Sequence, residues 1–288
     1  MSPRSGATRF HPFRTLRFRL ELARQLRRRR TQGTLAFMVA LPLIILLAFE
    51  IGGGNGDGAG PGTAAFGSIV DVATAGGLNF ALFTLFVSSA FLIVVVVALF
   101  HGDTVAAEAG WGSLRYLLAI PVPRLRLLAV KLGVAATMSV VAMATLMVTA
   151  LAVGTLRYGW EPMRLSMAVE VAPLQGLARL AGMGGYILIV LMFVAGLAFL
   201  FSVLTDAPLG AVGGAVLIYI LSSILDQITA LGDLRVFLPT HYNQAYLGLL
   251  STPIQWEAMF KGAFSALLWG VVMVTWAMTV FHRRDVTS

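Results

Sequence analysis

The sequence contains no cysteine, only two lysines and few charged residues of either sign. The absence of cysteine excludes disulfide bonds and thiolate metal sites. Charged residues make up 12% of the chain and hydrophobic residues 58%, with a mean hydropathy of +0.85, whereas about a quarter of a soluble domain is charged. Water is therefore not the solvent for most of this chain. The composition predicts one integral membrane domain, with no soluble domain of ordinary size beside it.

Motifs of catalysis and nucleotide binding are also missing. No GxxxxGK[ST] loop is present to hold the phosphates of a nucleotide. The histidines His11, His101, His241 and His282 are scattered, without an HExxH or paired-glutamate motif. A membrane-embedded enzyme needs convergent acids, histidines or metal ligands, so we predict no catalytic residue, metal site or cofactor in this chain. The net charge of +8 does not indicate nucleic acid, because the basic residues crowd the ends of apolar runs.

Long apolar runs predict an all-α protein with about six transmembrane helices, since each crossing needs about 20 mainly apolar residues. The predicted spans cover residues 35–51, 79–101, 127–153, 180–204, 209–230 and 260–281. We divide the chain accordingly into a basic, amphipathic cytoplasmic segment, residues 1–33, and a single six-helix transmembrane domain, residues 34–288.

The distribution of basic residues predicts the orientation, because lysine and arginine are retained on the cytoplasmic side. About ten arginines precede the first span, four basic residues follow the second, and Arg283 and Arg284 follow the sixth. With an even number of spans these segments share one face, so both termini are expected in the cytoplasm. A cleaved signal peptide is the competing interpretation of the start. It fits less well, because the basic region is long and the run 35–51 is long enough to anchor.

An amphipathic helix is predicted before the first span. Its arginines recur with helical spacing on one face, while apolar side chains gather on another. Such a helix lies in the membrane interface with its arginines against anionic headgroups; the alternative is a disordered basic tail that only sets topology. The predicted surface arginines are Arg14, Arg17, Arg24 and Arg28.

The connection from His101 to Lys131 is too long and too varied for a simple turn. It carries charges, then an apolar helical set, then a break bounded by Pro121 and Pro123. Exposed leucines beside charges at a membrane surface indicate a helix, over about residues 104–120, that docks into a partner's groove.

At this connection the chain resembles the type-2 ABC exporter permease family of bacterial export systems. The family pattern has a glutamate, a Gly-Thr-Leu element, paired leucines, a Pro-Val-Ser-Arg element and a lysine. The matching residues are Glu108, Gly112, Leu114, Leu117, Leu118, Pro121, Arg124 and Lys131. Ser113 and Pro123 depart from the pattern, since threonine and serine are usual there. The order of the remaining elements extends the resemblance over nearly the whole chain.

The resemblance implies a permease subunit in the bacterial cytoplasmic membrane that hydrolyses no ATP itself. The connection would then be a cytoplasmic coupling helix seated on a separate ATP-binding subunit, which holds ATP and magnesium. The assembly would contain two such subunits and either two copies of this chain or this chain with a related permease. Alternating access would export an amphipathic or lipophilic substrate. A membrane-embedded enzyme and a secondary transporter remain the alternative functions.

Two further regions are predicted from their apolar and aromatic content. Aromatic residues of the second and fifth spans are candidates for the translocation path, although packing against lipid or core is the alternative for each; these are Phe80, Phe83, Phe86 and Tyr219. The external segment at about residues 234–257 is too polar to span the membrane and too apolar for an ordinary loop. The resemblance implies short re-entrant helices here, and an amphipathic loop on the membrane is the alternative.

Overall fold

The computed structural model describes residues 18–52, 70–110, 123–166 and 169–283. The described chain is mainly helical, as its composition predicts. Its α-helices, in chain order, are α1 (Phe18–Leu26), α2 (Arg29–Gly52), α3 (Gly77–Ala90), α4 (Leu92–Gly110), α5 (Arg124–Tyr158), α6 (Pro173–Val190), α7 (Met192–Leu204), α8 (Pro208–Gln227) and α9 (Glu257–Arg283). A hairpin of β1 (Met163–Ser166) and β2 (Val169–Val171) lies between α5 and α6.

Within the described residues, five helical segments are long and apolar enough to cross a membrane. They are Arg29–Ile51, Leu125–Tyr158, Pro173–Leu204, Pro208–Gln227 and Glu257–Arg283. The pair α3 and α4 is bent by 57° and raises the number to six if the two helices form one span. The chain is therefore a multi-pass helical membrane protein, and the predicted number of about six corresponds to this upper count.

One of the predicted spans is broken where the sequence has neither proline nor glycine. The second span breaks at Phe91, between α3 and α4. Thr84 and Ser88 donate hydrogen bonds to carbonyl oxygens one turn earlier in α3, and such bonds bend helices. The fourth span has only a one-residue irregularity at Leu191, between α6 and α7, and Pro173–Leu204 otherwise runs as one helical segment. Pro42, in contrast, lies within the unbroken helix α2.

The core of the bundle surrounds α7, which packs against α4, α8 and α9. Phe199 and Val203 of α7 are fully buried. The backbone N–H groups of Val105 and Ala106 donate to the buried hydroxyl of Ser202 at 2.9 and 3.0 Å. This bond fixes the end of α7 beside the end of α4. Large apolar side chains are exposed along α2, α8 and α9, as expected of surfaces that face lipid.

The β-hairpin was not predicted, because its strands are short and lie beside a long apolar run. Asn79 of α3 holds it in place: its side chain donates to the Arg164 carbonyl oxygen at 2.9 Å and accepts from the Arg164 N–H at 3.0 Å. Helix α6 follows the hairpin directly. It begins at Pro173, earlier than the predicted residue 180.

The predicted external segment forms two 3₁₀ helices, Thr229–Phe237 and Ala245–Leu250. They are tied to the bundle by polar contacts. The Arg179 guanidinium donates to the carbonyl oxygens of Leu249 and Ser251 at 2.7 and 3.2 Å, and the Tyr186 hydroxyl donates to the Tyr242 carbonyl oxygen at 2.9 Å. Short helices are thus present, and we call residues 229–250 the capping segment.

Candidate functional site

The polar face of α1 points into the protein. Glu21 and Gln25 lie against the bundle together with Leu22, whereas Leu20 on the other side is exposed. The charged side chains of α1 therefore meet those of α4 and α5.

Glu108 lies at the centre of these charged contacts. Its side chain is 2% exposed, and its Oε1 lies 2.7 Å from Nζ of Lys131, which is 4% exposed. The Arg24 guanidinium donates to the same carboxylate, and the Arg28 guanidinium lies 3.9 Å from it. The Lys131 ammonium also donates to the Thr104 carbonyl oxygen at 3.3 Å. Burial of charges is tolerated only where they are paired in this way.

A second carboxylate extends the arrangement. Asp103 lies 3.0 Å from the Arg30 guanidinium and 3.3 Å from that of Arg28. Glu21 lies 3.7 Å from Lys131 Nζ and 3.6 Å from Arg24. We call the seven residues the ion-pair cluster: Glu21, Arg24, Arg28, Arg30, Asp103, Glu108 and Lys131. The cluster joins four helices that are distant in sequence.

Two residues of the predicted docking connection, Glu108 and Lys131, thus contact each other across it. The structure places Glu108 inside the protein, where its basic partners come from its own chain. The other residues predicted for docking lie outside the described residues, namely Gly112, Leu114, Leu117, Leu118 and Pro121. Arg124 is the first residue of α5. The Glu108–Lys131 pair brackets the connection.

Of the four predicted membrane-surface arginines, two lie within the described residues. Arg14 and Arg17 lie outside the described residues. Arg24 and Arg28 contact carboxylates of α4, so the structure gives them protein partners rather than leaving them free for headgroups. Arg28 lies beyond the last residue of α1, and helical spacing carried no information about the acids that these arginines meet.

A family model, described as a protein of unknown function (DUF2705), matches residues 34–287. The chain belongs to the DUF2705 family. The matched range includes Asp103, Glu108 and Lys131 but begins after α1, so four of the seven residues of the ion-pair cluster precede it. No curated protein matches the chain. The DUF2705 description assigns no activity, and the function has to be argued from the site itself.

A cavity of about 620 Å³ opens in the other half of this DUF2705 bundle. Its walls come from the ends of α3, α6 and α8 and from the capping segment. Ala90, beside the break at Phe91, and Leu191, at the irregularity of the fourth span, both line it. We call it the aromatic cavity, because Phe86, Tyr219 and Tyr246 face it. Its volume suits a molecule of the size of a drug or a short lipid.

Neutral hydrogen bonds organise the polar side of the aromatic cavity. The hydroxyls of Ser89 and Tyr246 are 3.0 Å apart, and Asn243 Nδ2 donates to the Tyr219 hydroxyl at 3.0 Å. Burial raises the pKa of Tyr246, and its bond to Ser89 lowers it less, so the phenol stays protonated and able to donate. His241 Nδ1 lies 2.6 Å from Asp226 Oδ1 at the rim.

Of the four residues predicted for a translocation path, the structure brings Phe86 and Tyr219 to the aromatic cavity. Phe80 and Phe83 pack instead in a separate cluster with Phe49 and Tyr158. Residues 83 and 86 are about one turn apart on α3, and helical periodicity alone did not indicate which of them faces the cavity. The Asp226–His241 pair was missed as a pair, because its members lie on separate elements.

Proposed function

We propose that this chain is the membrane-spanning permease subunit of an ATP-driven exporter of the type-2 ABC class, in the bacterial cytoplasmic membrane. The observation that supports it most is the Glu108–Lys131 pair, which joins the two ends of the connection that the sequence assigns to docking. A segment that receives force from a partner is useful only if its ends are held firmly. The buried ion pair supplies such an attachment.

The ion-pair cluster gives a physical route from this connection into the bundle. Arg24 links α1 to α4, Arg30 links α2 to α4, and Lys131 links α5 to α4, so a displacement of the connection moves these four helices together. Helix α4 leads to the break at Phe91, and residues just before that break line the aromatic cavity. Closure of two ATP-binding subunits against two permease chains would thereby reshape the cavity.

The proposal includes a cytoplasmic position for the ion-pair cluster and both termini, supported by the asymmetry of basic residues. Because the chain has no cysteine, single cysteines can be introduced without prior changes. Gly58→Cys and Ser251→Cys are expected to react with an impermeant maleimide in intact cells, and Ser113→Cys only after the membrane is permeabilised. Labelling of position 113 from outside would overturn this orientation.

The docking step is tested by three variants and one control. Leu117→Ala and Leu118→Ala are expected to weaken assembly with the ATP-binding subunit, by about 2 kcal/mol for a leucine at the centre of the interface. Glu108→Gln should leave the complex assembled but lower export per ATP hydrolysed, since it loosens the attachment of the connection. Leu156→Ala, at a leucine that is exposed at the far end of α5, serves as the matched control. Normal assembly, ATPase rate and export in all variants would remove the docking assignment.

A secondary transporter is the second candidate, and a specific observation favours it. Broken helices around a central site are common in such carriers, and the bend at Phe91 borders the aromatic cavity. Reconstituted vesicles separate the two functions. Uptake driven by a proton gradient in the lone chain supports a carrier, whereas uptake that requires ATP and a second protein supports the exporter.

A further inference from the structure

The aromatic cavity has an apolar wall and a charged rim. Along its wall lie Val87, Val190, Ile220 and Ile224, while the rim carries Asp226 at the end of α8. Asp226 is the one carboxylate among the described residues that line this cavity. A molecule that fills the space therefore meets apolar side chains along its body and a single acid at one end.

The carboxylate of Asp226 is only partly satisfied by the protein. Its Oδ1 contacts His241 Nδ1, and within the described part of the chain Oδ2 has no hydrogen-bond partner. The nearby Arg235 guanidinium donates to the main-chain carbonyl oxygens of Gly232 and Asp226 rather than to the carboxylate. Asp226 also lies in the last turn of α8, where the helix dipole disfavours an anion and favours a cation beside it.

We propose that the aromatic cavity binds an amphipathic organic cation. Its ammonium group would pair with Asp226, and the faces of Tyr219, Tyr246 and Phe86 would add cation–π attraction. Its apolar body would lie along α8 and α6. This inference rests on the proposed export function, because it takes the bound cation to be the exported substrate. The binding itself requires no ATP.

Binding is measured on the purified full chain in lipid nanodiscs. Radiolabelled dodecyltrimethylammonium is the cationic probe, dodecyl sulfate is the anionic probe of equal chain length, and empty nanodiscs correct for partition into lipid. The wild-type chain is expected to bind the cation saturably and at least about tenfold more tightly than the anion, as a partly buried charge pair allows. Equal binding of the two probes, or a preference for dodecyl sulfate, overturns the proposal.

Variants assign the preference to the carboxylate. Asp226→Asn keeps the shape of the side chain and should lose at least about tenfold in affinity for the cation while keeping the affinity for the anion. Asp226→Glu retains the charge and should retain the preference. The matched control is Asp233→Asn, because Asp233 is an exposed acid of the capping segment outside the cavity lining. A full cation preference in a folded Asp226→Asn chain would contradict the assignment.

The outcome separates this inference from the exporter proposal. Cation binding through Asp226 without assembly onto an ATP-binding subunit supports the inference and rejects the exporter. Assembly and coupled ATP hydrolysis without cation preference support the exporter and reject the inference.

Discussion

The two ends of the bundle hold their helices together by different means. At one end the ion-pair cluster uses full charges, with Glu108 and Lys131 almost completely buried. At the other end the aromatic cavity and the capping segment use mainly hydroxyls, amides and rings, as in the Ser89–Tyr246 and Asn243–Tyr219 bonds, and the Arg179 guanidinium there donates to main-chain carbonyl oxygens. Buried charges are costly to separate, whereas neutral hydrogen bonds are exchanged at small net cost. The first end is suited to transmit displacement and the second to adapt to a ligand.

The two lysines of the chain provide the strongest test of this contrast. Lys131 is 4% exposed in the ion-pair cluster, and Lys261 is 58% exposed at the opposite end, paired with Glu257. Lys131→Met is expected to lower the free energy of unfolding by about 3 kcal/mol, because it removes one partner of a buried pair. Lys261→Met should leave it unchanged within error, since exposed pairs contribute little.

Unfolding by SDS in mixed micelles measures both lysine variants under the same conditions. The double variant Glu108→Gln with Lys131→Met should be less destabilised than the sum of its single variants, because it leaves no unpaired carboxylate. Equal losses for Lys131→Met and Lys261→Met would mean that the charged end has no special rigidity.

A glycine tests whether the cavity end is nonetheless closely packed. Gly262 of α9 faces the capping segment, and a Cβ there would meet Tyr242 Cβ at 2.5 Å as well as the Tyr186 hydroxyl. Gly262→Ala is expected to cost about 1–3 kcal/mol of stability, as overpacking does. Gly185→Ala is the control, because nothing lies within 4 Å of its added methyl group. Equal stability of the two variants in thermal unfolding would show that the capping segment shifts to accommodate the added methyl group at no cost.

The sequence predicted the apolar helical segments well, but it did not predict which side chains of different helices contact each other. Hydropathy predicted long apolar helices because each one is an apolar run of sufficient length, and the described residues contain five such helices, or six with the bent pair. The partners of Arg24 and Arg28 lie about 80 residues away on α4, and no local pattern carries that information. For the same reason the Asp226–His241 pair was not anticipated.

The position of the helix break shows the limit of local signals more sharply. A proline inside a helix normally kinks it, because it cannot donate the hydrogen bond to the carbonyl four residues earlier. Helix α2 nevertheless continues through Pro42, since neighbouring groups can satisfy that carbonyl in a membrane helix. The break at Phe91 follows hydroxyl-bearing residues that bond back to their own helix, which is a weak signal in sequence.

The smallest expected effect concerns a single neutral hydrogen bond at the cavity end. The hydroxyls of Ser222 and Thr240 are buried and 2.7 Å apart, and they join α8 to the capping segment. Ser222→Ala should cost about 1 kcal/mol, because it leaves the Thr240 hydroxyl buried without this partner. Ser223→Ala is the matched control: the Ser223 hydroxyl donates to the Tyr219 carbonyl oxygen of its own helix at 2.9 Å, so its loss affects no contact between elements. In the double variant Ser222→Ala with Thr240→Val both hydroxyls are gone, and much of the lost stability should return. If the double variant were instead the least stable of the set, the bond would be a principal attachment of the capping segment, and the contrast between a rigid charged end and an adaptable cavity end would fail.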